Sequence, residues 1–508
     1  MDEQTISKLL KAGERVTLEC KRARAEVPKS VWQTYSSFAN TLGGFILLGV
    51  EEDRNETNPE KRFQITGVDD ASKIVTDFWN TVNSDKVSEN ILNEDDVRVL
   101  NVNGKQIVCI KVPMADFHKR PVYLNGNMYK ETYRRNNEGD YHCAERQVKA
   151  MVRDSFDDGN DAILMHHFTM DDIDQDTLHR YRNQFKVRNE EHVWNEVDDK
   201  TFLKNLGGYV IDRETGEEGL SMAGLLMFGK GLPIRERFGN FRMDYINFCN
   251  LTGEERYSDR LTYDGRWENN LYQFFMNVMP KITFDLPRPF RMEGLQRVDD
   301  TPQHKAVREA FTNSIIHADM MMDAGLLRIE KHDDKLCFRN PGLLKLPVEQ
   351  IYEGGSSKAR NPRIQNMLRM IGFGENLGSG FPKIIAAWKA TDWGQPILLN
   401  KVELDEVELI LPVRSDSIIQ RGEEFEKQTA QWPEKWPEGW PEKWPETARQ
   451  IIDAVSRDSS ISIPKLEIQT GLGHTTLKKI LSEMQAENMI RRVGSARGGH
   501  WEIVTRNE

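Results

Sequence analysis

The order of three short stretches constrains this chain more than any other feature. Glu309-Ala310-Phe311-Thr312-Asn313 puts Glu309 and Asn313 about one turn apart on one helical face. There a carboxylate can hold a water while an amide oxygen reaches a metal. Asn340-Pro341-Gly342 follows the strand-like run Lys335–Arg339 and reads as a tight turn, showing a polar side chain and bare backbone to a ligand. Gly378-Ser379-Gly380 opens the helical pattern Phe381–Trp388, and free amides at a helix start attract phosphate. Singly, each stretch is commonplace, a turn or a cap. Base-edge contact, metal and water positioning, and phosphate cradling are together the parts of a nucleotide site.

In that order the segment resembles the GHKL ATPases, the family of gyrase, the Hsp-type chaperone, histidine kinases and mismatch-repair proteins. The resemblance implies ATP and Mg2+ as cofactors of a slow ATPase. It makes Glu309 the general base, Asn313 the Mg ligand, and Gly378, Ser379 and Gly380 the phosphate cradle. Asn340 takes the place of the adenine-binding carboxylate, with Gly342 as its partner glycine. Family members usually carry Asp there; divergent domains that follow Schlafen-type modules in bacterial proteins often read Asn-Pro-Gly. The family also places a mobile loop between its second and third boxes. Here that loop is Glu353–Pro362, with Gly354-Gly355 as hinge and Lys358, Arg360 and Arg363 able to approach a triphosphate.

A second constellation lies near the N-terminus. Glu14 and Glu19 precede a helical pattern over Pro28–Asn40, and Glu51-Glu52-Asp53 follows the short apolar strand Phe45–Val50, entered through Gly43-Gly44. Carboxylates gathered at a strand end can bind a divalent metal, as phosphodiester cleavage needs. Lys21, Arg22, Arg24 and Lys29 beside them can hold phosphates. With Ser36-Ser37-Phe38-Ala39-Asn40-Thr41-x-Gly43-Gly44, this arrangement resembles the AlbA-like domain of the Schlafen family, extending over about 1–150. Some Schlafens cut tRNA with a Glu, Glu, Asp set. Glu14 and Glu19 match its first two members, and Glu52 stands at the third, one methylene longer than Asp. The resemblance thus implies either nucleic-acid binding alone or an endoribonuclease with Glu14 and Glu19 as metal ligands.

Bulk properties set the frame. A chain of 508 residues exceeds one core and predicts several domains. No run approaches the ~18 apolar residues of a membrane span, and Met1-Asp2-Glu3-Gln4 has no signal character. Five scattered cysteines without a Cys-x-x-Cys pair point to reduced thiols in a cytoplasm. A net charge of −11 leaves nucleic-acid binding to local basic faces. Asn103-Gly104 between two apolar runs predicts a hairpin. Leu220–Phe228 reads as an apolar strand and Trp267–Val278 as an amphipathic helix.

The C-terminal end holds a repeat, Trp432-Pro433-Glu434 recurring at Trp436, Trp440 and Trp444. Proline at every fourth position forbids a regular helix and predicts a stiff spacer. Beyond it, three helical patterns and two strand patterns give the winged-helix order. That tail carries nine Lys/Arg against seven Asp/Glu over 447–508. Thr475, Thr476, Lys478 and Lys479 fall in the first turns of the third helix and Arg497 at the wing tip, where such a fold places DNA contacts.

The expected architecture is α/β: a nucleic-acid module over 1–150, a scaffold over 151–290, an ATP module over 291–415, a spacer over 416–446 and a winged helix over 447–508. The expected function is a cytoplasmic, nucleotide-responsive DNA-binding regulator. The alternative is an ATP-gated nuclease acting on RNA or DNA as a defence effector. A homodimer follows from the GHKL resemblance.

Overall fold

The computed structural model describes residues 16–53, 56, 62–136, 139–157, 159–251, 255–287, 300–323, 325–355, 357–374 and 380–413. Beyond these it describes two short strands near 295, a helix and two strands between 474 and 503, and isolated helical and core positions between 451 and 466. The chain divides into two compact units, 1–419 and 420–508.

The first unit begins with a mixed sheet. Strands β1 (Leu18–Lys21), β2 (Gly44–Leu48), β5 (Val97–Val102) and β6 (Lys105–Val112) pair in the order β1-β2-β6-β5, with β1 parallel to β2 and the rest antiparallel. β3 (Val50–Glu52) pairs with β4 (Phe63–Ile65) beside it. The two-residue period of a strand divides this sheet into two apolar faces. Ile46, Leu48 and Ile110 pack on helices α1 (Val31–Asn40) and α2 (Ala71–Val82), while Leu47, Ile107 and Cys109 pack with Val50 and Phe63. Asn103 and Gly104 turn the hairpin with φ of 51° and 76°, as a two-residue loop between twisted strands requires.

The Ser-Ser-Phe-Ala-Asn-Thr motif has a structural explanation. Its polar side chains leave the buried end of α1 to hold two later segments. Ser36 Oγ donates to Val122 O at 2.7 Å and accepts from Tyr133 N at 3.1 Å. The Asn40 amide donates to Val122 O (2.7 Å) and Tyr133 O (3.1 Å) and accepts from Val122 N (2.8 Å). Thr41 accepts from Arg135 N at 3.0 Å. Gly43 sits at φ 73°, where a Cβ would stand 2.8 Å from two backbone atoms, so only glycine fits. These bonds anchor the hairpin β7 (Tyr133–Asn136) and β8 (Gly139–His142), which leads into helix α3 (Glu145–Asp154).

The middle region comprises α4 (Gln175–Arg188), α5 (Asp199–Leu206), the small ladder β9 (Tyr209–Ile211) with β10 (Glu218–Leu220), α6 (Met222–Phe228) and α7 (Gly231–Arg237). The apolar run read as a strand is therefore mostly helix. Ser221 accepts from Gly224 N as its N-cap, and all seven residues of α6 are buried. A helix buried on every side shows no 3.6-residue period to read.

The largest sheet has six strands in the order β12-β11-β15-β16-β18-β17. It comprises β11 (Arg242–Asn247), β12 (Asp259–Leu261), β15 (Leu326–Lys331), β16 (Lys335–Pro341), β17 (Ile397–Lys401) and β18 (Glu406–Pro412). A ladder of β13 (Met292–Glu293) with β14 (Gln296–Arg297) lies between in sequence. Two strands thus come from the stretch read as scaffold, and one apolar cluster runs from Met165 to Leu411. Leu327, Ile329, Phe338 and Leu409 face the helices α8 (Leu271–Thr283), α9 (Pro302–Ile316), α11 (Pro362–Met370) and α12 (Gly380–Lys389). The opposite face alternates charge: Arg328 and Arg339 flank Glu330, and Arg339 bonds Glu408 at 2.6 Å. Asn340-Pro341 is not a turn after the strand but part of it, paired with Val407 and Glu406. Gly342, at φ 95°, ends the strand.

The expected mobile loop is mobile-looking only in its first half by composition; its second half is a clamp. α10 (Val348–Glu353) leads to Gly354-Gly355. Arg360 and Asn361 that follow are buried to 4% and 0% exposure. Arg360 grips both oxygens of Asp154 in α3 (2.8 and 2.7 Å) and donates to His317 O at 2.6 Å and Leu343 O at 2.5 Å. The Asn361 amide donates to Ile315 O and Ala318 O, capping α9. Arg363 is spent on Gly207 O at 2.9 Å. Arg360 and Arg363 therefore serve the scaffold, because satisfying buried carbonyls and a carboxylate outweighs keeping them free.

The second unit shows α13 (His474–Ala486) followed by β19 (Ile490–Val493) paired antiparallel with β20 (His500–Ile503). Leu477, Ile480, Leu481 and Met484 are buried with Trp501. The Trp-Pro-Glu repeat and the wing-tip Arg497 lie outside the described residues.

Removing the clamp leaves Asp154 as a buried, unpaired carboxylate. Arg360→Met is expected to cost about 3–5 kcal/mol, the range for breaking a buried ion pair from one side. Urea unfolding measures this, and a midpoint within error of wild type would refute it.

Candidate functional site

The sheet and helices of the first unit bring the predicted nucleotide residues to one cavity. Glu309, Asn313, Asn340, Lys358 and Gly380 all line it, although 71 residues of sequence separate the first from the last. The reason is geometric. Glu309 and Asn313 share a face of α9, and Asn340 shares the helix-side face of β16 with Phe338. Gly380 begins α12, which packs along α9. A Cβ on Gly380 would displace the Glu309 carboxylate from its present position, so the glycine lets α12 start against it. Gly342 lies just beyond the strand, where a Cβ would meet Arg360 Nη1 at 3.0 Å. Gly378 and Ser379 lie outside the described residues.

The walls are largely apolar, with Phe338, Leu344, Ile351, Phe381 and Leu409 among them. About 980 Å³ of space lies between these walls, counted to the open mouth. Asn340 is 5% exposed, and its amide nitrogen has no acceptor. An orphaned buried donor costs ~1–3 kcal/mol, a cost relieved when a ligand supplies the acceptor. The donor set fits a nucleotide with Mg2+: an amide facing an apolar slot, a carboxylate and second amide one turn apart, and cations opposite.

One of those cations was not legible in the sequence. Lys345 is 9% exposed, lines the cavity, and sets its ammonium 4.2 Å over the Phe117 ring. Burial pushes it down to about 8; Asp154 opposes this, and the nearby Arg360, Arg120 and Lys358 add to it. Lys358 lies 5.4 Å over the same ring, half exposed, with Asp157 at 3.9 Å. His317, also in the lining, is pushed down to about 4 by burial beside Arg360 and Lys345, so it is neutral at pH 7. Cations crowded against few carboxylates make a field that favours an anionic ligand. A lysine after a Leu-Leu pair carries no motif that would have revealed this.

The N-terminal carboxylates are differently placed. Glu14 lies outside the described residues. Glu19 contacts Lys21 through Oε1 and Arg135 through Oε2, each at 2.7 Å, and is 13% exposed. Arg135, at 1% exposure, also bonds Asp140 at 3.0 Å, and Asp140 accepts from Thr34 and Ser37 of α1. Glu52 is held by Arg62, with Nε at 2.8 Å. A guanidinium thus sits between Glu19 and Asp140, where a metal would compete with it. Lys21 is half buried against Glu19, while Arg22, Arg24 and Lys29 are exposed, with Arg22 3.0 Å from Glu51. In the second unit Lys478 is exposed on α13; Thr475, Thr476 and Lys479 belong to the same helix.

A further trio, Glu330, His332 and Cys337, gathers ligand-type atoms within 4.8 Å on the β15–β16 hairpin. Arg339 and Arg328 already engage Glu330, and burial pushes the Cys337 thiol up to about 12. The trio reads as part of the charged sheet face.

Comparison with known proteins agrees with both family resemblances. Residues 14–144 match the family model "Schlafen, AlbA_2". Residues 326–410 match an ATPase-like family described as "Putative ATP-dependent DNA helicase recG C-terminal". Residues 149–244 match a domain of unknown function. The chain is therefore a multidomain α/β protein with a Schlafen AlbA_2-like segment and an ATPase-like segment, matches that suggest association with nucleic acid. No match is found among curated proteins. Among solved structures it resembles the DIP2311 protein from Corynebacterium diphtheriae, at 15% identity over 99% of each chain with a TM-score of 0.38. It also resembles the N-terminal domain of a RecG-related helicase protein from Nitrosomonas europaea, at 23% identity over 33% of this chain and 97% of that one, with a TM-score of 0.21. Among the described residues no helix is long and apolar enough to cross a membrane.

An anion in the cavity favours charged Lys345, so its affinity is expected to fall as pH rises through about 8. Fluorescence titration of a nucleotide between pH 7 and 9.5 tests this. In Lys345→Met the drop over that window should vanish; an unaltered pH profile in the variant would remove Lys345 from the site.

Proposed function

We propose that the protein binds ATP with Mg2+ in the cavity between β16 and helices α9 and α12, and that nucleotide occupancy alters how it engages nucleic acid. The observation that carries this reading is the convergence of Glu309, Asn313, Asn340 and Gly380 on one cavity, with the Asn340 amide buried and lacking an acceptor. In this reading Asn340 recognises the base edge; an amide both donates and accepts, unlike the carboxylate more usual there. Asn313 offers its amide oxygen to the metal, and Glu309 orients a water. Lys345 and Lys358 hold phosphate, and Gly380 at the start of α12 leaves the Glu309 carboxylate in place. When bound, ATP supplies the triphosphate and Mg2+ the charge that neutralises it.

Coupling to nucleic acid has a physical route within the first unit. Phe117 belongs to the N-terminal module, yet its ring lies under Lys345 and Lys358 of the cavity. Arg120 donates to Lys345 O at 2.7 Å, and Arg134 bonds Asp405 at 3.0 Å. Drawing the two ammonium groups toward phosphate weakens their hold on that ring, which is worth ~0.5–2 kcal/mol per contact.

Nucleic-acid binding by the N-terminal module is favoured over cleavage because Glu19 already faces Lys21 and Arg135. A regulator that binds duplex DNA through a C-terminal winged helix is the finer form of the proposal. Its support is α13, bearing exposed Lys478, followed by the β19–β20 ladder.

Two substitutions separate binding from hydrolysis. Asn313→Ala is expected to abolish Mg-dependent ATP binding. Glu309→Ala should keep affinity while slowing hydrolysis by ~100-fold or more, since only water activation is lost. Calorimetry with a non-hydrolysable analogue and a phosphate-release assay read the two effects; undiminished affinity in Asn313→Ala would sink the assignment.

A further inference from the structure

On the other side of the Gly342–Leu344 segment from the nucleotide cavity lies a second, larger cleft. It runs between the N-terminal module, α3 and the six-stranded sheet, with about 1360 Å³ of space counted to its mouth. Its distinguishing feature is Arg120. This guanidinium can donate five hydrogen bonds, but it makes one, to Lys345 O. Its Nε is buried without an acceptor, and no carboxylate lies within ion-pair distance among the described residues. Burial lowers its affinity for its own proton to about 10, against the pull of Asp154. A part-buried guanidinium with an unsatisfied Nε and no carboxylate at ion-pair distance is costly, and an anion in the cleft would offset that cost.

The rest of the lining continues the pattern. Arg146, Lys149 and Arg153 all border the cleft, one turn and then two turns apart on one face of α3. The stripe is about 10 Å long at 1.5 Å per residue. A stacked strand presents a phosphate about every 3.4 Å, so the stripe matches roughly three in a row. Three of the bordering carboxylates have cations of their own: Asp154 with Arg360, Asp319 with Arg153 and Asp405 with Arg134. Glu145 pairs with Lys149 only at the exposed rim, an i,i+4 pair worth a few tenths of a kcal/mol. Arg120 and Arg146 are left against the exposed Asp323 alone, which among the described residues pairs with neither, so the lining carries one cation in excess.

We propose that this cleft is a second anion site, distinct from the nucleotide cavity, and that it takes backbone phosphates of a nucleic-acid strand with Arg120 as its deepest anchor. The stripe on α3 favours a strand over a free phosphate, because a single anion needs only Arg120. The inference deepens the nucleic-acid part of the proposed function and is independent of whether ATP binds. Arg120 also holds the Lys345 carbonyl, so a phosphate seated here touches a residue of the nucleotide cavity through one bond.

The test uses full-length protein and labelled single-stranded DNA, single-stranded RNA and duplex DNA, with affinity measured against salt by fluorescence anisotropy. Arg146→Gln with Lys149→Gln changes only exposed side chains and leaves the fold intact. It is expected to weaken strand binding by about tenfold and to flatten the salt dependence by roughly 1.4 units of slope, two single-strand contacts' worth. Arg120→Gln should weaken it similarly, with thermal unfolding as the check on folding. Inorganic phosphate titrated by calorimetry is the second arm. Loss of one phosphate site in Arg120→Gln, with strand affinity intact, would keep the anion site and assign it to free phosphate. Strand affinity and phosphate stoichiometry both unchanged in the two variants would overturn the inference, while leaving any nucleic-acid binding by Arg22, Arg24 and Lys29 standing.

Discussion

The first unit depends on the grip of Arg360 on Asp154. One guanidinium joins three segments far apart in sequence: α3, the end of α9 at His317 and the chain just past β16 at Leu343. Asn361 beside it caps α9 through Ile315 and Ala318. Those are the segments that carry Glu309, Asn313 and Asn340, so the positions of these three groups are referred to this pair of residues. A buried ion pair is stabilising only when its remaining donors are satisfied. Here two carbonyls take two of the three donors the carboxylate leaves over.

The same neighbourhood gives the cavity a field that favours an anion. Arg120, Lys345, Lys358 and Arg360 crowd together; Asp154 answers Arg360, and the exposed Asp157 stands 3.9 Å from Lys358. Folding this much like charge into a low-dielectric region is unfavourable by itself. The structure disperses part of it over the Phe117 ring and holds Lys345 near its titration point. Binding sites are often built this way, with a cost in the empty state that the ligand relieves.

The N-terminal motif shows the opposite relation between sequence signal and chemistry. Ser36, Asn40 and Thr41 are the most recognisable residues of the chain, and all three are occupied in fixing Val122, Tyr133 and Arg135. Arg135 is thereby delivered between Glu19 and Asp140. A motif can therefore identify a fold reliably while saying little about catalysis, since its residues serve the packing that creates the site.

Much of the architecture was legible because it rests on local periodicity. The strand-like run Lys335–Arg339 marks most of β16, Asn103-Gly104 fixes a hairpin, and Glu309 and Asn313 fall on one helical face whatever surrounds them. What the sequence determined was the kind of site and its ordered parts. It did not show that Met222–Phe228 is helical, because burial on every side erases the period. Nor did it show that Arg360 and Arg363 belong to the scaffold and Lys345 to the cavity. Whether a cation is free, clamped or buried depends on which carboxylates and carbonyls arrive from distant segments. Only the tertiary structure brings Asp154 to Arg360 and Phe117 to Lys345, since long-range packing decides which charges are left without a partner.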